Sequence, residues 1–157
     1  MATRLLFIRA VNVGGATLPM ADFRELLAGL GASAVRTYIA SGNAIIDVDG
    51  DPDAFDRAVE RAVEQRFGYF RDVISRTPAQ VSAALAAHPF EVLDVRYSYI
   101  AMLTGEPSAE AVAAASSVAT GDDVWQVIGR ELHIRYARGA GQPDMNTDAV
   151  LRRLGVA

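Results

Sequence analysis

Two stretches decide how this chain folds: Arg9-Ala10-Val11-Asn12-Val13-Gly14-Gly15 and Thr37-Tyr38-Ile39-Ala40-Ser41-Gly42-Asn43. Each leaves an apolar segment and ends in polar, turn-forming residues. Leu5-Leu6-Phe7-Ile8 lead into the first stretch. A continuous apolar run closed by a glycine-rich turn predicts a strand, over 4–11, buried on both faces. Residues 35–40 and 44–48 predict two more strands, and Ser41-Gly42-Asn43 between them is a hairpin signal.

The segments around these strands read as helices. Met20, Phe23, Leu26, Leu27 and Leu30 recur at helical spacing, so 19–30 is predicted helical, with Pro19 in the first turn and Gly31 as the stop. Asp51 caps a second helix with Pro52 at its first position. Phe55, Ala58, Val59, Ala62, Val63 and Phe67 form its apolar stripe, Gly68 ends it, and Asp53 with Arg57 is an i,i+4 pair on its wet face. A strand over 69–75 completes β-α-β-β-α-β in residues 1–76.

Thr77-Pro78-Ala79-Gln80 is a capping box opening a helix that runs to about Ala87, and 90–96 are a connector. A strand at 97–103, a helix at 107–118, strands at 123–128 and 131–136 around Gly129-Arg130, and a last helix capped by Asn146 or Thr147 follow. The expected fold is therefore α+β, with two ferredoxin-like (split βαβ) halves. They are 1–76 and 97–157, joined by 77–96, and the second lacks its closing strand.

In that topology the first strand lies antiparallel beside the third. Arg9, Asn12, Gly14 and Gly15 then meet Ser41, Gly42 and Asn43 at one sheet edge. Glycines let a backbone approach a ligand closely, loop N–H groups form anion-binding concavities, and Arg9 adds a fork of donors. Plain turn chemistry explains the same residue types, because Asn and Gly tolerate positive φ. No GxGxxG or Walker pattern is present.

Composition narrows the chemistry. The 157 residues contain no cysteine and no lysine, all 15 basic residues are arginine, and the net charge is −4. Thiolate nucleophiles, Cys-zinc sites, Schiff-base lysines and Walker lysines are excluded, and phosphate-driven nucleic-acid binding is disfavoured. The longest N-terminal apolar run, Leu5 to Ile8, is too short for a signal segment or membrane span, so a soluble cytoplasmic protein is expected. His88 before Pro89 reads as a helix C-terminal cap. His133 lies on the strand face opposite Leu132 and Ile134, and two histidines so far apart in sequence do not predict a metal site. No cofactor is expected. The acids fall mostly on helix starts and wet faces, and Trp125, Tyr97, Tyr99 and Tyr136 read as core and sheet-surface residues.

Through the two opening stretches, Pro19-Met20, Phe23-Arg24-Glu25-Leu26-Leu27 and Val35-Arg36, the chain resembles the bacterial family called domain of unknown function 1697. Arg66-Phe67-Gly68, Arg76-Thr77, His88-Pro89-Phe90 and Leu154-Gly155 extend the resemblance loosely over nearly the whole chain. The family implies paired ferredoxin-like halves and no established activity, cofactor or catalytic residues. It usually has glycine at Ala10, often a serine-lysine pair at Pro143-Asp144, and a polar Trp-containing segment where this chain ends at Ala157. The leading functional expectation is a binding module for a small anionic ligand at the edge described. The alternatives are a homodimer or larger assembly using an open sheet edge, and a hydrolase or transferase without cysteine or lysine chemistry.

Overall fold

The computed structural model describes residues 1–12 and 15–156. Among these it has five helices and two antiparallel sheets, dividing into two compact units, Met1–Val81 and Ser82–Ala157. No helix among the described residues is long and apolar enough to cross a membrane.

The first unit contains β1 (Ala2–Ile8), α1 (Met20–Gly29), β2 (Ser33–Tyr38), β3 (Asn43–Val48), α2 (Pro52–Phe67) and β4 (Val73–Arg76). Its strands lie in the order β2-β3-β1-β4, every neighbour antiparallel. The alternation of side chains explains which face is buried. Leu6 and Ile8 of β1, Ile46 and Val48 of β3 and Val73 of β4 join Phe23 and Leu27 of α1 and Val59 and Val63 of α2 in one core. Each such side chain contributes about 1.5–3 kcal/mol on burial, so truncating the fully buried Phe23 to alanine would cost about 3–5 kcal/mol. The expected two-sided burial of β1 is corrected here, because Leu5 and Phe7, on the other face, are only half-buried.

Local signals act as their chemistry dictates. The Asp51 carboxylate accepts from the N–H groups of Asp53 and Ala54, and Gly68 closes α2 at φ 80°. The Thr77 N–H donates to Gln80 Oε1 and the Gln80 N–H to Thr77 Oγ1, which fixes the start of α3 (Pro78–Ala86). Two acids depart from the expected wet faces. Asp56 and Glu60 are buried on the inner side of α2, where Asp56 accepts from the Ser75 N–H and hydroxyl and Glu60 accepts from the Val73 N–H. Arg57 does not pair with Asp53; it bonds Glu60 at 2.9 Å and the Val73 carbonyl at 2.7 Å. The strand expected over 69–75 spans only Val73–Arg76, and before it the side chains of Tyr69 and Arg71 donate to carbonyls of the loop after β1.

The second unit contains β5 (Ser98–Met102), α4 (Ala109–Ala115), β6 (Val124–Ile128), β7 (Glu131–Arg135) and α5 (Thr147–Leu154), with its strands in the order β5-β7-β6. Leu132 and Ile134 of β7 pack with Leu103, Ala115, Tyr136, Met145, Val150 and Leu154. Asn146 caps α5 through Ala149 N–H, and Gly155 closes it at φ 73°. Asp123 is almost fully buried because its carboxylate gathers the N–H groups of Ala137, Asp144 and Met145 and so fixes the course of 137–145.

Candidate functional site

The corner where β1 ends is built by backbone demands. The Ile8 N–H donates to the Gly42 carbonyl at 3.1 Å, which joins β1 to the four-residue turn between Tyr38 and Asn43. Gly42 is buried at φ +87°, and a Cβ there would lie 2.2 Å from Ile8 Cγ2 and 2.9 Å from Val11 Cγ2. Only glycine fits.

Asn12 is the clamp of this corner. Its amide donates to the Ala40 carbonyl at 2.6 Å and to the Leu18 carbonyl at 2.9 Å, while its Oδ1 accepts from the Leu18 N–H at 2.8 Å. One side chain therefore holds the loop after β1, the entry to α1 and the β2–β3 turn together. Both donors and the acceptor are consumed, so Asn12 shapes the corner and has no donor left for a ligand.

A third segment, not singled out by the sequence, completes the corner. Tyr69 Oη donates to the Thr17 carbonyl at 2.8 Å, Arg71 Nε donates to the Ala10 carbonyl at 3.3 Å, and the Arg9 N–H donates to the Asp72 carbonyl at 3.1 Å. The Arg9 guanidinium stands 3.9 Å from the Asp72 carboxylate and is 41% exposed. The Arg71 guanidinium lies over the Tyr69 ring. Gly15 is exposed at φ +93° with open space where a Cβ would sit. Exposed Ser41 accepts from Asn43 Nδ2 at 3.0 Å. Gly14 lies outside the described residues. Of the other six residues expected at the site, all belong to this corner. Asn12 and Gly42 form its frame, while Arg9, Gly15 and Ser41 face solvent and Asn43 is half-buried.

Backbone strain concentrates here. Ala10 at φ 50°, Asn12 at 56° and Ile39 at 50° are left-handed non-glycine residues, as only Ala34 is elsewhere among the described residues. For Ala10 the cost is about 1–2 kcal/mol, and β-branched Ile39 is a sharper outlier.

The second unit holds two other features. A cleft of about 410 Å³ is lined by Val112, Ser116, Thr120, Asp123 and residues 124–127. Its one carboxylate, Asp123, is already committed to backbone donors. His88 does not act as a simple helix cap. Its Nδ1 lies 2.9 Å from His133 Nδ1, and the Nε2 of each ring is buried without a partner. Burial, and then the charge of His88, lower the His133 pKa against the opposing pull of Glu131. No group of three or more potential metal ligands exists among the described residues.

An α+β chain with two antiparallel sheets and one strained, arginine-bearing loop corner is the class these features define. Residues 1–133 match the family described as protein of unknown function (DUF1697), and the chain belongs to that family. No curated protein matches it. It is similar to the structure of the conserved bacterial protein SP0830 from Streptococcus pneumoniae. The likeness has a TM-score of 0.72 at 20% identity and covers 86% of this chain and 76% of that one. At that identity the likeness concerns fold alone.

Proposed function

We propose that the corner formed by 8–12, 15–18, 39–43 and 69–72 is a binding site for a small anionic or polar ligand in a cytoplasmic, non-catalytic module. The observation that supports this reading most is the placement of three left-handed non-glycine residues within one corner, of which Ala10 and Ile39 are strained while Asn12 tolerates this backbone. Strain of this kind is retained where the surrounding structure over-determines it, and such places cluster at ligand clamps. Arg9 and Arg71 supply charge, the backbone around Gly15 permits close approach, and Ser41 and Asn43 supply neutral polar groups. Gly14 belongs to the same proposal by sequence. Asn12 and Gly42 hold the shape.

The test is a thermal-shift and NMR titration with inorganic phosphate, sulfate, small carboxylates and nucleotides. A ligand that binds only the folded state raises stability by about 2.7 kcal/mol at a hundredfold excess over Kd. We expect a saturable shift, lost in Arg9→Ala and in Arg71→Ala at unchanged melting temperature without ligand. A flat response to every probe, or an equal response in both variants, overturns the reading.

We also infer that both units are split βαβ, ferredoxin-like halves, 1–76 and 97–157 about the 77–96 link. The orders β2-β3-β1-β4 and β5-β7-β6 support this. β5 would then correspond to β1 but without the neighbour that β4 provides, which favours self-association through that edge as a second reading. Light scattering over a range of concentrations decides it, and a strict monomer refutes it.

A further inference from the structure

We propose that His88 and His133 form a neutral imidazole latch that fastens the connector after α3 to the face of β7 and releases it on acidification. The geometry fixes the protonation pattern. Two nitrogens 2.9 Å apart share one hydrogen, so one ring carries it on Nδ1 and the other presents an Nδ1 lone pair. The donor ring then has a bare Nε2 and the acceptor ring an Nε2–H, both buried without partners.

The surroundings of the pair favour its neutral form on balance. His133 has no exposed surface. On β5 and β6 the residues paired with it are Ile100 and Gln126, neither of which titrates. From the connector side, His88 meets the edge of the Phe90 ring, and Arg135 lies over that ring. Glu131, on β7 itself, is the one acid that favours a charged His133, and its pull is outweighed by burial. A first proton adds a second unpartnered Nε2–H in a desolvated place. A second proton sets two Nδ1–H groups against each other at 2.9 Å, and the rings must part.

The sign follows from the lowered His133 pKa. The open form binds protons from pH 6.5 downward, the ordinary histidine value, while the latched form resists them. The latch is therefore fully made above that pH and weakens as pH falls. Asp94, in the connector, does not titrate in this window, since the Arg96 guanidinium holds its carboxyl at about 2.

The chain has only two histidines, so its imidazole nitrogen spectrum reads the pair directly. At pH 7.5 we expect one ring with hydrogen on Nδ1 and the other with hydrogen on Nε2. Exchange protection of the Ala87 and His88 amides, corrected for intrinsic rates, should fall about tenfold per pH unit below 6.5 for one linked proton. The double variant His88→Phe/His133→Phe should lose that dependence. Identical tautomers in the two rings, protection independent of pH in the wild type, or an unchanged slope in the double variant would each overturn the latch.

Discussion

At the scale of single residues, the corner separates frame from contact. Asn12→Ala removes three hydrogen bonds and leaves the Leu18 N–H and two carbonyls to find new partners. We expect a loss of about 2–4 kcal/mol in urea denaturation, at about 1 kcal/mol per bond. Arg9→Ala breaks only an exposed pair at 3.9 Å and should change stability by less than about 0.5 kcal/mol. Gly42→Ala meets Ile8 Cγ2 at 2.2 Å in a left-handed backbone and should lose about 2–4 kcal/mol. Ala10→Gly runs the other way. It relieves a φ of 50°, and the gain, offset by a floppier unfolded chain, should be about 0.5–1 kcal/mol. Turn-forming residues made the corner legible in the sequence. What was hidden is the division of labour, because an asparagine that clamps and one that binds have the same letter. Tyr69 and Arg71 were hidden for another reason: they act through hydrogen bonds to backbone carbonyls at Thr17 and Ala10, which carry no side-chain signal.

At the scale of elements, local chemistry was readable and burial of polar groups was not. Asp51, Gly68, the Thr77–Gln80 box and Asn146 cap and stop helices as their types demand. Sequence alone does not set Asp56 and Glu60 apart from the acids of the wet faces, because a charged residue beside the stripe of α2 is interpretable only once its partners on β4 are known. The His88–His133 pair escaped for the same reason, being joined only when the connector returns over β7. Asp56 yields an element-level prediction. Burial raises its pKa above 3.8, against the opposing bonds from Ser75 and the charges of Arg4 and Arg57. The folded state therefore holds this proton at pH values where the unfolded chain has released it. Stability of the α2–β4 contact falls as pH rises from 3.8 through the raised value, then levels off. Asp56→Asn should flatten that dependence in urea denaturation followed across pH 3.5–6.5.

At the scale of the whole molecule, the two units carry buried titrating groups of opposite sign. In the first unit Asp56 favours the folded state under acid, through its raised pKa. In the second unit His133 disfavours it, through its lowered pKa. Acidification from pH 7.5 to 5.0 should therefore act unevenly along one chain. Amides of β7 should lose protection progressively as pH falls below 6.5, because the folded state resists the proton that the unfolded chain takes up. Amides of β1, whose residues Leu5 to Ile8 are joined to β4 beside Asp56, should hold or gain protection over the same range. Hydrogen exchange read strand by strand checks this within a single sample. An equal loss in β1 and β7 would mean that acid acts through net charge rather than through these two buried groups. The size of the difference would measure how far each unit unfolds on its own.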